Sequence, residues 1–213
     1  MGFKGLKLSN NLKDIQTGDI SKDLLKVGNV LNFMGANAKT TEAQIFDVTQ
    51  RMSGLQTTAK LSSQEIFGIA TALSETGIRA EVLGTSITKA MGNMLSDSDK
   101  FAEAIGVNKK AFSDMANKDS RKALEFFATT LKKQNPTLTG INKKLKEVGL
   151  TGAGVGQVFQ SYANNIDLVH QRIDEAGKAL TNTDSIMDEF NAKNETFAAV
   201  MEKGGKAIGI ATT

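Results

Sequence analysis

The last quarter of this 213-residue chain keeps one heptad frame for more than fifty residues, which constrains its fold more than any single motif does. One column reads Phe159, Ile166, Ile173, Leu180, Met187, Asn194, Met201 and Ile208. The other reads Val155, Tyr162, Val169, Ala176, Thr183, Phe190, Phe197 and Gly204, so apolar residues recur at alternating steps of four and three. An unbroken helix over 155–208 would be roughly 80 Å long at about 1.5 Å per residue, which is longer than a compact domain of this size is wide. Such a segment suits a strut or a partner surface. Its weak points are the cluster Thr181, Asn182, Thr183 and Asp184, which has the residue types of a second helix start, and the pair Gly204 and Gly205. Two helices folded back on each other remain the alternative to a continuous one.

Punctuation upstream of the frame is helical throughout. Ser62 and Glu65 have the spacing of a capping box, with Leu61 placed to staple onto Ile66. Ile66, Ile69, Ala70 and Leu73 then recur on one helical face, Gly77 suits a left-handed stop, and 78–95 reads as the partner helix. Thr40 and Thr41 cap an earlier helix through Ile45, Val48 and Met52 that stops near Gly54. Shorter helices are expected over 98–105, 108–115, 119–133 and 137–148, the last closed by Gly149. The uncharged, glycine-rich stretch 149–156 marks a hinge. The predicted fold is all-α, a bundle of short helices followed by a long amphipathic, coiled-coil-like helix or helical hairpin. Its expected divisions are a leading helical segment over 1–39, a short-helix core over 40–150 and the heptad-patterned segment over 151–213.

Composition narrows the function classes. With no cysteine there is neither a disulfide framework nor a thiolate metal site, and 26 basic against 23 acidic residues leave a net charge of +3, too balanced to argue for nucleic acid. No apolar run is long enough to span a bilayer, and the first ten residues lack the apolar core of a secretory signal. His170 is the only histidine and lies on the flank of the heptad stripe, where a solvated residue is expected. Glu75 before Gly77, with Gly156 and Gln157 further on, distantly echoes the motifs of cell-wall transglycosylases, but the gap is several times too long and a helix C-terminus explains Glu75. Asp97 and Asp99 lack the glycine and distal glutamate of a calcium loop and read as helix caps. Gly152 to Gly156 lacks the lysine of a phosphate loop. Catalytic, cofactor and metal residues are therefore expected to be absent.

The text from Ile45 to Leu131 also has an order. Phe46-Asp47-Val48-Thr49-Gln50-Arg51-Met52-Ser53-Gly54-Leu55 is followed by Ala72-Leu73-Ser74-Glu75-Thr76-Gly77-Ile78-Arg79-Ala80-Glu81-Val82-Leu83-Gly84-Thr85. Phe101-Ala102-Glu103-Ala104-Ile105-Gly106, then Ala111-Phe112, and then Asp119 ahead of Ala123-Leu124-Glu125-Phe126-Phe127 continue it, with Asn194-Glu195-Thr196 later. This series resembles the core region of phage tail tape measure proteins over about residues 28–201. The resemblance implies a structural role without catalytic residues: several helical copies in the tail lumen, assembled in the bacterial cytoplasm, around which tube subunits polymerise to a length set by the chain. Implied partners are the chain's own copies, the tail tube protein and tail assembly chaperones. Members of that family are usually several times longer, so the resemblance also implies a fragment, a decayed prophage copy or one module of a larger reading frame.

The candidate self-association seam is Val155, Phe159, Tyr162, Ile166, Val169, Ile173, Leu180, Met187, Phe190, Asn194, Phe197 and Met201. Asn194 either fixes register and copy number or marks a helix start or bend, and the small flanking residues Ala163, Gly177 and Ala179 favour several packed helices over a two-stranded zipper. Gly77, Gly84 and Gly92 read as turn and packing glycines or as close contacts in an oligomer. The alternative function is a free-standing helical adaptor whose 155–208 arm docks a partner.

Overall fold

A computed structural model describes residues 2–181, with side chains from Lys7 onward; the seam positions Met187, Phe190, Asn194, Phe197 and Met201 lie outside the described residues. The described chain is all α, without strands, and its elements follow the sequence punctuation closely. Helix α1 (Gly2–Asn11), a 3-10 turn (Lys13–Ile15) and α2 (Ile20–Asn37) come first, then α3 (Glu42–Met52) and the single turn α4 (Leu55–Thr58). The middle holds α5 (Ser63–Ser74), α6 (Ala80–Ser96), α7 (Ser98–Ala104), α8 (Lys109–Lys118) and α9 (Ser120–Gln134). The series closes with α10 (Leu138–Glu147), α11 (Val155–Asn164) and α12 (Ile166–Thr181).

Helix starts are fixed by side chains that accept otherwise unpaired amides of the first turn. Asp19, Thr41, Asp97, Asn108, Asp119 and Thr137 each do so. At α5 the full reciprocal box forms: the Ser62 side chain accepts from Glu65 N, and Ser62 N donates to Glu65 Oε2 at 2.9 Å. Gly77 turns the chain at φ +73°, which a side-chain-bearing residue rarely adopts, so α5 ends and α6 begins across a short turn. Helix α3 stops at Met52, beside the expected Gly54. Gly54 is right-handed (φ −65°) and opens α4 directly behind α3.

Helix α5 is the central element. From Ile66 to Ser74 every residue is buried, so this helix is covered all round rather than on one stripe. Helices α3, α6, α11 and α12 pack on it. The 3-10 turn locks its start, because Asp14 Oδ2 accepts from Ser63 N at 2.8 Å. One hydrophobic cluster runs from Leu8 to Ala179 and includes members from all three expected segments. The glycine-rich stretch 149–156 is seated against α6: Asn93 Nδ2 donates to Val148 O at 3.0 Å, Leu150 is buried, and a Cβ at Gly154 would lie 2.9 Å from Val82.

Candidate functional site

The heptad segment is where sequence reasoning placed the function. Through Thr181 it forms two helices, not one. The heptad frame has no skipped step here, but the helix breaks at Asn165 (φ −118°, ψ 29°). Asn165 closes α11, with its N–H reaching Ser161 O at 3.1 Å and its side-chain amide the same carbonyl at 2.8 Å; α12 then resumes with Val169 N to Asn165 O at 2.8 Å. The two helices serve different neighbours. Helix α11 packs mainly on α9, α10 and α6 and only touches α5, whereas α12 packs mainly on α5 and α2.

Within α11, the seam residues Val155, Phe159 and Tyr162 are buried. Phe159 meets Phe127 edge-on with ring centroids 5.9 Å apart, and Phe127 meets Phe101 at 4.8 Å, so α11 is held by an aromatic cluster with α9 and α7. Gly156 lets the helix approach Asn142 and Leu138 of α10 so closely that a Cβ would overlap the Asn142 amide. The Tyr162 hydroxyl is fully buried without a hydrogen-bond partner. Burial pushes its pKa far up, with Glu125 adding to the effect, so the phenol stays neutral.

Helix α12 is held by different means. Val169, Ile173 and Ala176 are buried, Ile166 and Leu180 partly so. A Cβ at Gly68 of α5 would lie 2.5 Å from the backbone of Ile173, so the helices touch backbone to backbone, and a Cβ at Gly177 would lie 2.7 Å from Gln64 Cδ. Arg172 is buried in this contact and donates to Glu75 Oε1 at 2.6 Å and to Glu175. Burial works against the Arg172 charge, but the bonds it donates to Glu75 and Glu175 outweigh this and hold its pKa above the ordinary value. Burial likewise raises the Glu175 carboxyl, and the bonds from Gln171 and Arg172 overcome this to hold it below the ordinary value. A second network ties α12 to α9: His170 Nε2 lies 3.0 Å from Glu125, which pairs with Arg121, which reaches Glu65 at 2.9 Å.

The remaining candidates resolve into structural contacts. Glu75 is occupied by Arg172 and also accepts from Lys39 N at 3.1 Å. Asp97 caps α7, and the bond from Lys100 lowers its pKa. Gly152 and Gly154 form the turn that opens α11. Gly84 seats against the Arg51 side chain of α3, and Gly92 faces open space. Among the described residues no group of three or more acidic or histidine side chains is placed to hold a metal, and no helix is long and apolar enough to cross a membrane. Sequence reasoning missed Gly68 and the Glu75–Arg172 pair. The signal for Gly68 was available, since Ile66-Phe67-Gly68-Ile69-Ala70 is apolar or small all round, the mark of a helix buried on every side.

The contacts of α11 and α12 are those between helices. A family model described as phage-related minor tail protein matches residues 7–134, more than half of the chain, from α1 to the end of α9. No curated protein and no solved structure matches the chain. The matched stretch contains α5 with its Gly68 face, while α11 and α12, which cover it, lie beyond the match. On the family match, this chain belongs to the phage-related minor tail proteins and has a structural role in a phage tail.

Proposed function

We propose that the chain is a module of a tape measure protein, a non-catalytic helical scaffold that helps set tail length. Its copies lie together in the tail lumen after assembly in the bacterial cytoplasm, and its partners are those copies, the tail tube protein and tail assembly chaperones. The observation that supports the reading is the continuation of one heptad frame in the sequence beyond the last described helix: α11 and α12 carry the first part of a seam whose columns run on through Met187, Phe190, Phe197 and Met201. A bundle that anchors and a repeat that extends is the organisation a ruler needs. The ordered motifs of 45–131, which resemble the tape measure core and fall almost wholly inside the family match, support the same reading.

The test is tail length by electron microscopy in a phage carrying the chain. Because 155–181 is folded into the bundle, the informative change is beyond it. Inserting four heptads after Thr181 should lengthen the tail by roughly 40 Å, at about 1.5 Å per residue. Unchanged tails would contradict a ruler and favour a docking role. The non-catalytic part predicts that the purified chain leaves a cell-wall suspension turbid, and clearing that Glu75→Gln abolishes would overturn it.

A further inference from the structure

The joint between α11 and α12 shows a conflict between sequence and structure that a second copy would resolve. From Gln157 to Ala176 the chain contains neither proline nor glycine, and Phe159, Tyr162, Ile166, Val169 and Ile173 hold one heptad frame across the break. Helical hydrogen bonds run up to Asn165 on one side and resume from its carbonyl on the other. The bend is thus one residue wide, at Asn165, whose side chain caps Ser161 O, in a stretch whose apolar frame runs straight through it. Straightening it would lift α12 off its own α5. It would also bare two complementary surfaces at once: the Val169, Ile173 and Ala176 face of α12, and the Gly68 face of α5.

We propose that α12 is exchanged between copies of this chain: with Asn165 drawn into a continuous helix over 155–181, α12 docks on the α5 groove of a second copy. Every contact of the closed form is re-made across the copies, including the backbone approach at Gly68, the seat of Gly177 on Gln64 and the Arg172–Glu75 pair. Only the joint differs, which is why such an exchange costs little in contacts. The occupant is a second copy because the groove is shaped to this helix. Gly68 admits the Ile173 backbone, and Glu75 presents a buried carboxylate to Arg172. The proposal stands on the joint and the groove and does not depend on the tape measure reading; isolated chains report on it, tail length does not.

The absence of cysteine makes a direct experiment available. Gln64→Cys and Gly177→Cys face each other across the groove, since a Cβ at Gly177 falls 2.7 Å from the flexible end of Gln64. Full-length chains carrying only Gln64→Cys are mixed with chains carrying only Gly177→Cys, refolded together at high concentration, and oxidised with diamide. The exchange predicts a covalent heterodimer on a non-reducing gel, well above the background from a Lys178→Cys chain, whose cysteine sits on the exposed side of α12. Asn165→Leu should raise the yield about twofold, through better helix propensity at the joint. The chain carrying both Gln64→Cys and Gly177→Cys, oxidised when dilute, should link internally and so confirms that the positions reach. An internal link in that chain with no cross-chain product from the mixture, even with Asn165→Leu, would overturn the proposal. Failure of the doubly substituted chain to link at all would overturn it too, by removing the docked geometry. Asn165→Ala serves as the second joint variant if Asn165→Leu does not fold.

Discussion

Helices α11 and α12 share one heptad frame yet are held in opposite ways, and the contrast explains how this bundle is closed. Helix α11 is anchored by volume: Phe159, Phe127 and Phe101 interlock in a buried cluster. Helix α12 is anchored by proximity and charge, with glycine contacts at Gly68 and Gly177 and a buried Arg172–Glu75 pair. An aromatic cluster fails by leaving a cavity, gradually and locally. A glycine contact with a buried ion pair fails as a unit, because a shift of one helix removes the close approach and strands a charge. The same periodic sequence can therefore yield a fixed helix and a separable one, depending on what it meets.

The largest expected effect lies in the aromatic corner. Phe127→Ala removes a fully buried ring and should cost about 4 kcal/mol in urea unfolding, with α12 still docked. Arg172→Met leaves Glu75, whose side chain is only 8% exposed, charged and without its cation, at about 3 kcal/mol; adding Glu75→Gln should recover much of the loss in a double-mutant cycle. Gly68→Val forces a methyl into the Ile173 backbone and should cost about 2 kcal/mol, concentrated on α12. Glu175 sharpens the comparison through pH. Its folded pKa lies below the ordinary 4.5, so its contribution is complete above that value and is lost as pH falls through the lower folded value. Stability should therefore drop faster below pH 4.5 in the native chain than in Glu175→Gln, by under about 1 kcal/mol for a partly exposed group. Smallest of all, Tyr162→Phe removes a hydroxyl that has no partner, and should leave unfolding free energy unchanged or slightly raised. A clear loss there would mean that the hydroxyl is bonded.

Much of the α-helical plan was legible because its signals are local. The Ser62–Glu65 box, the Thr41 and Asp97 caps and the Gly77 turn each act within a few residues, so the sequence states them directly. The joint at Asn165 was not legible. A heptad column looks the same whether it faces another copy or its own α5, and the weak helix propensity of Asn164-Asn165 inside an unbroken apolar frame does not by itself state a break. Of the seam, Val155, Phe159, Tyr162, Val169 and Ile173 are buried against the chain's own helices. Glu75 and Arg172 are nearly a hundred residues apart, and a pair at that separation leaves no local pattern.

Native-state hydrogen exchange on the full chain tests most directly the claim that α12 closes the family-matched bundle through α5. The account predicts that α12 opens at a lower free energy than α11, and that Gly68→Val lowers protection in α12 most while α9 and α11 keep theirs. Protection of α12 equal to that of α11, or unchanged by Gly68→Val, would contradict it.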